Sequence, residues 1–289
     1  MTPGRTDDPG TAGVIGATDA PGTADDLGTA GVMGAATDAP GTADDLGTAG
    51  VIGATDAPGT PGGATDAPGT ADDPRSRPTT PGSGTVATYA DLAGEIARRP
   101  ARLGGVRLVA VDGGSGAGKT MFAERLVVAL RRAGARVEVV HTDDLLDGWA
   151  DQFTFWPRLR DGVLEPLAAG APGRYRRYDW VAGGFAEELV VPVPDVLIMD
   201  GVSVARADVR ARLTLAVFLT ADPGLRLSRV LARDGVAIEP QLRAWMAAEK
   251  AHFARDATPE WVDVLIDGGS TVEHDRESEY VRLRQERLR

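Results

Sequence analysis

Cysteine and asparagine are both missing from the 289 residues, and lysine occurs only twice. Without cysteine there is no disulfide, no thiol nucleophile and no cysteine-ligated zinc or iron–sulfur centre. Without asparagine the guanine-reading Asn-Lys-x-Asp motif of common GTPases is excluded. So is the catalytic-loop Asn that holds the second Mg²⁺ of a protein kinase. Long apolar runs are lacking too: Val190–Met199 is interrupted by Pro192 and Pro194 and is too short to cross a bilayer. Met1–Gly10 does not combine a basic start with an apolar run, so no signal peptide is expected there. These absences predict a soluble cytoplasmic protein that does not engage a membrane.

Aromatic residues are absent from residues 1–84; all fifteen Phe, Trp and Tyr lie from Tyr89 onward. The same stretch is rich in Gly, Pro, Thr and Asp, and holds 12 Asp against 3 Arg. The unit Pro-Gly-Thr-Ala-Asp-Asp-Leu-Gly-Thr-Ala-Gly-Val begins at Pro21 and again at Pro40, with truncated copies at Pro9, Pro58 and Pro68. Each copy offers too few large apolar groups to offset an ordering cost of roughly 1–2 kcal/mol per residue. A disordered acidic tail is therefore expected over residues 1–84, and one folded domain over 85–289. That domain holds 30 acids against 28 Arg and Lys. Its near neutrality excludes a basic nucleic-acid binder.

From Thr88 onward the pattern is that of an α/β protein. Thr88 and Asp91 fit a capping box, and Tyr89, Leu92 and Ile96 share one helical face before Pro100. Apolar runs at Val106–Asp112, Arg136–His141, Asp195–Asp200, Leu213–Leu219 and Val262–Ile266 read as five strands. Helical stretches separate them, notably Thr120–Arg132, Asp222–Arg233 and Pro240–Arg255. Apolar strands alternating with helices predict a parallel sheet covered on both faces.

Between the first apolar strand and its helix lies Gly113-Gly114-Ser115-Gly116-Ala117-Gly118-Lys119-Thr120, a G-x-x-x-x-G-K-[ST] motif in the context it requires. Glycines let successive N–H groups wrap phosphates, and the helix N-terminus adds a positive dipole end. Lys119 is placed to reach the β- and γ-phosphates, and the Thr120 hydroxyl to bind Mg²⁺. A chain with 29 Arg and two Lys keeps one of those lysines here. ATP with Mg²⁺ is the expected ligand.

A small-molecule kinase needs three further parts. Asp143, with Asp144 beside it, follows the second apolar strand, where ligands bind in open α/β sheets. A carboxylate there can take the proton of an attacking hydroxyl and help hold Mg²⁺. Asp200 ends the run Val196-Leu197-Ile198-Met199 and precedes Gly201, the pattern of a metal-binding carboxylate at a strand end. Arg226, Arg229 and Arg233 share one helical face and suit the charge-rich transition state of phosphoryl transfer. His141, His252 and His274 show no metal-ligand spacing and are expected to be structural or solvent-exposed.

These segments resemble the uridine kinase family, within the wider uridine kinase, phosphoribulokinase and pantothenate kinase group. Val109–Thr120 is similar to that group's phosphate loop, and His141-Thr142-Asp143-Asp144 to the segment that carries its catalytic base. Arg177-Tyr178-Asp179-Trp180-Val181 resembles a Tyr-Asp-aromatic segment that packs around a nucleoside. Arg226-Leu227-Ser228-Arg229 with Arg233-Asp234 resembles the start of a lid, and Val262–Ile266 the last strand. Asp200 stands where the family usually has Glu. The His that follows its Tyr-Asp-aromatic segment is replaced by Ala182-Gly183-Gly184, and its second arginine cluster by Gly235–Glu239.

The resemblance implies a P-loop NTPase-type three-layer fold with a five-stranded parallel sheet and a short helical lid. It also implies transfer of the ATP γ-phosphate to a small hydroxyl acceptor, a nucleoside such as uridine or cytidine. Asp143, Lys119, Arg229 and Arg233 would be catalytic, and Thr120, Asp200 and Asp143 would hold Mg²⁺. Asp144, Tyr178, Asp179, Trp180 and Arg226 would bind substrate, and such kinases often form homo-oligomers. A kinase for pantothenate, a sugar or a nucleotide fits the same residues, as does an ATP-binding regulatory protein without turnover.

Overall fold

The computed structural model describes residues 84–285. The tail expected over residues 1–84 lies outside them but for Gly84, as do residues 286–289. The chain forms β1 (Thr85–Thr88), α1 (Tyr89–Arg98), β2 (Arg107–Gly113), α2 (Lys119–Arg132) and β3 (Val137–His141). Short helical turns follow, including α3 (Trp156–Leu159) and α4 (Glu165–Ala168), and then β4 (Gly173–Asp179) and β5 (Gly184–Val191). Next come β6 (Val196–Asp200), β7 (Leu213–Thr220), α5 (Pro223–Asp234) and α6 (Glu239–Asp256). The described chain ends with α7 (Thr258–Trp261), β8 (Val264–Asp267) and β9 (Glu279–Leu283).

The main sheet has seven strands, not the five expected, in the order β1-β9-β8-β7-β2-β6-β3. The run β8-β7-β2-β6-β3 is parallel throughout and uses the five apolar segments read from the sequence. β9 and β1 extend one edge in antiparallel fashion. A margin strand is only partly covered, so neither carries the continuous apolar run of a buried parallel strand.

Alternate side chains on each strand go to opposite faces. On one face Val109, Val111, Ile198 and Val217 meet Leu92 and Ile96 of α1 and Phe122, Leu126 and Leu130 of α2. On the other, Leu108, Ala110, Leu197, Met199 and Phe218 meet Leu145, Phe155, Leu159, Leu164 and Leu167. About half of this second layer comes from residues 142–168, a stretch whose turns and short helices have no clean period. The N-terminus of α5 is capped by Asp222, which accepts the N–H groups of Gly224 and Leu225 at 2.8 and 3.0 Å. A small cluster of Val230, Ile238 and Leu242 fastens α5 to α6. Among the described residues no helix is long and apolar enough to cross a membrane.

Leu126 is fully buried between α2 and the sheet. Leu126→Ala is expected to cost about 3 kcal/mol. A lower urea midpoint with unchanged slope would show this, and an unmoved midpoint would contradict the packing described.

Candidate active site

The parallel strands end side by side, and their register decides what meets there. Asp200 at the end of β6 is level with Val111 of β2 on one side and with His141 of β3 on the other. The phosphate loop runs directly from β2 into α2, whose first residues are Lys119 and Thr120. The Thr120 hydroxyl donates to Asp200 Oδ2 at 2.8 Å, and His141 Nδ1 lies 3.0 Å from the same oxygen. Asp200 is 3% exposed, and its other oxygen, Oδ1, is buried without a hydrogen-bond partner. An unpartnered carboxylate oxygen is costly in such a place unless a cation meets it. Thr120 and Asp200 thus form a donor set of hydroxyl and carboxylate oxygens that fits Mg²⁺, which takes one or two protein oxygens and completes its shell with water and phosphate.

Asp143 and Asp144 sit in the tight turn Thr142–Leu145 that leaves β3. Gly201, just after Asp200, allows this turn to close in, since a Cβ there would lie 1.7 Å from Thr142 Oγ1. Asp143 is open to water in the cavity, yet ringed by protein atoms. Desolvation raises its pKa; Lys119 opposes that, Asp200 reinforces it, and Arg233 and His141 oppose it. Asp144 is also raised, first by desolvation, and accepts the Tyr175 hydroxyl at 3.3 Å. Burial works against a charge on His141, but its bond to Asp200 and the nearby carboxylates outweigh burial and raise its pKa. The structure thus places His141 in the site, where sequence reading left it structural or exposed.

A cavity of about 1120 Å³ joins these groups. It is lined by the phosphate loop with Lys119, Arg229 and Arg233, and by the aromatic residues Trp149, Tyr178, Trp180 and Trp245 among others. Trp149 packs edge-on against Trp180 and Trp245, with ring centres 5.8 and 5.5 Å apart, and Trp180 packs against Tyr178 at 5.1 Å. The Trp180 indole N–H donates to the main-chain oxygen of Asp143 at 3.2 Å, which ties the aromatic wall to the carboxylate turn. Asp179 also lines the cavity, but its Oδ1 accepts the N–H groups of Val181 and Ala182 and so closes the turn between β4 and β5.

The three arginines expected to act as one lid face are divided. Arg229 donates to the main-chain oxygens of Gly116 and Gly268 at 3.2 and 3.0 Å while facing the cavity. Arg233 faces the cavity and pairs with Asp234 at 2.7 Å. Arg226, expected to bind substrate, does not line the cavity. It donates to Ser115 O at 3.2 Å and pairs with the buried Glu249 at 3.1 Å, so it braces the loop. Lys119 Nζ reaches back to Gly114 O at 3.2 Å.

Sequence reasoning also missed Asp112. It is fully buried and accepts three N–H groups, from Gly113 at 2.7 Å, Ser203 at 2.9 Å and Ala205 at 2.8 Å. It therefore pins the loop behind Asp200 to the root of the phosphate loop. The signal that marks Asp200, an acid closing an apolar strand before a glycine, stands at Asp112 as well, where the phosphate-loop motif beginning at Gly113 obscures it.

No protein-family model matches the chain. Among solved structures it is similar to a possible uridine kinase from Bacillus stearothermophilus, at 21% identity and a TM-score of 0.47, over 62% of this chain and 97% of that one. It is also similar to a proposed fructose transport system kinase from Silicibacter sp. TM1040, at 21% identity and a TM-score of 0.42, over 57% of this chain and 95% of that one. Likeness at this level leaves the chemistry to be argued from the site residues themselves.

Burial raises the Asp112 pKa from 3.8 to about 6 against the pull of its three N–H donors. Between those values the folded chain holds a proton that the unfolded chain has lost, so this group's contribution to stability falls as pH rises through the window. The stability difference between the wild type and Asp112→Asn is expected to shrink across the same window. Urea midpoints measured from pH 4 to 6.5 would test it; parallel curves for the two proteins would contradict it.

Proposed function

We propose that this chain is an ATP-dependent kinase that transfers the γ-phosphate to a hydroxyl of a small, ring-bearing acceptor. The observation that carries the reading is the meeting of Lys119, the Thr120–Asp200 pair with its unpartnered Oδ1, and Asp143 in one cavity. A phosphate-holding loop alone suits any nucleotide binder. A carboxylate of raised pKa, facing that loop and not bonded to it, supplies what hydroxyl activation needs.

In this reading ATP lies with its phosphates in the loop. Thr120 and Asp200, with Asp143 at hand, would hold Mg²⁺, which when bound offsets phosphate charge. Asp143 orients the acceptor hydroxyl and takes its proton as the oxygen bonds to the γ-phosphorus. The bond from the γ-phosphorus to the bridging oxygen breaks, and ADP leaves with that oxygen. Lys119, Arg229 and Arg233 flank the transferred group and stabilise its charge. Trp149, Tyr178, Trp180 and Trp245 form a wall suited to a flat ring, which favours a nucleoside such as uridine or cytidine over an open-chain or simple-sugar acceptor. Asp144, held by Tyr175, stands beside Asp143 to receive a second hydroxyl.

ADP release with ATP·Mg²⁺ and a panel of uridine, cytidine, pantothenate and simple sugars tests this. Release that depends on a nucleoside is expected, and Lys119→Ala is expected to abolish it. Asp143→Asn is expected to lower turnover by roughly 10²–10⁴-fold. Near-normal turnover in that variant would remove Asp143 as the base. ATP binding without release on any acceptor would mark a regulatory nucleotide binder instead.

A further inference from the structure

Glu249 lies on α6, far in sequence from every motif, and is 1% exposed. A carboxylate so deeply buried has to be fully partnered. Its Oε1 accepts the Ser115 N–H at 2.9 Å, the Ser115 hydroxyl at 2.5 Å and the Trp245 indole N–H at 2.9 Å. Its Oε2 pairs with Arg226 at 3.1 Å, and the same guanidinium nitrogen donates to Ser115 O at 3.2 Å. Both main-chain polar atoms of Ser115 and its hydroxyl are thus held by groups on α5 and α6. The Arg226 guanidinium packs directly over Gly114, where a Cβ would have to displace it.

Two consequences follow from these contacts. The Ser115 N–H is directed to a carboxylate, so this part of the loop has its shape before any phosphate arrives. A glycine-rich loop left free would lose backbone entropy on binding, at roughly 1–2 kcal/mol for each residue ordered. Trp245, the third donor to Glu249, is also part of the aromatic wall against Trp149. One carboxylate therefore touches both the phosphate loop and the acceptor side of the cavity.

We propose that Glu249 is a positioning residue that pre-orders the phosphate loop and ties its shape to Trp245 on the acceptor side. The inference rests on the kinase reading for its functional meaning, although the tether itself stands on the contacts of the chain alone. Arg226 neutralises the carboxylate, so ordering of the loop outweighs repulsion between Glu249 and a bound phosphate. In Glu249→Gln one oxygen remains for Ser115 and Trp245, but the amide N–H groups then face the Arg226 guanidinium, so the charge and the Arg226 pair that hold the tether are lost while the volume is kept.

The test compares full-length wild type, Glu249→Gln, Ser115→Ala, the double variant and Trp245→Phe. Amide hydrogen exchange is followed over residues 113–118 without nucleotide, and ATP·Mg²⁺ affinity by calorimetry. Glu249→Gln is expected to speed exchange and to raise the ATP Kd by about tenfold, the worth of one charge-assisted hydrogen bond. Ser115→Ala, which leaves the buried pair intact and so keeps the comparison valid if Glu249→Gln folds poorly, is expected to act in the same direction. Its effect should be smaller when added to Glu249→Gln than in the wild type, because the two share one interaction. Trp245→Phe removes the indole donor along with part of the buried ring, and is expected to speed loop exchange by about threefold. Wild-type exchange and ATP affinity in Glu249→Gln, or a lowered Tm alone, would overturn the proposal. Wild-type loop exchange in Trp245→Phe would overturn the tie to the acceptor side. Absence of ATP binding by the wild type would instead sink the kinase reading, and exchange would still decide whether the tether orders the loop.

Discussion

The ladder of main-chain hydrogen bonds joining β2, β6 and β3 sets Val111, Asp200 and His141 in one row at the carboxyl end of the sheet. Each functional group is placed by its distance along the chain from that row. The phosphate loop begins two residues after Val111, and Asp143 follows His141 by two residues. A slip of one residue in the β6 register would turn Asp200 to the opposite face. Thr120 would then lose its partner, and a carboxylate would enter the apolar layer on the face away from α2. The apolar side chains that alternate along β6, Ile198 to one face and Leu197 with Met199 to the other, oppose that slip on both sides at once.

Among the carboxylates that the described residues keep almost completely out of water, Asp112, Asp200 and Glu249 stand close to this row. Burying a carboxylate is unfavourable unless donors meet it, and each of the three is met differently. Asp112 is satisfied by main-chain N–H groups alone and acts as a clasp between two loops. Glu249 is satisfied by a loop, an indole and an arginine, and links separate elements. Asp200 has one oxygen held and one left without a partner. That contrast sets Asp200 apart from the two carboxylates whose partners lie wholly within the protein.

The groups that line the cavity differ in kind. Around the phosphate loop they are main-chain groups and cations on α2 and α5. The aromatic rings are contributed by the turns after β3, the β4–β5 hairpin and α6. Edge-on ring contacts hold these rings to one another, and the Trp180 indole and Tyr175 hydroxyl hold them to Asp143 and Asp144. The aromatic lining therefore comes from segments outside the five parallel strands.

The sequence by itself determined the five parallel strands, the helices that follow the phosphate loop and Asp222, and the loop itself. Those features rest on local patterns: apolar runs flanked by glycine, helical spacing, an N-cap before Pro223, a fixed motif between strand and helix. It also brought forward Asp143 and Asp200, because a strand end is a local property as well. Only the tertiary structure decided what pairs across the chain. The margin strands β1 and β9 and the Arg-rich hairpin strand β4 are half-exposed, and their polar side chains hide the alternation that marks a strand. The parting of Arg226 from Arg229 and Arg233 had no sequence sign, because one helical spacing serves a lid face and a brace equally. The partners of Asp112, His141 and Glu249 are groups brought together by folding, and a hydrogen bond across 134 residues, as between Ser115 and Glu249, leaves no periodicity to read.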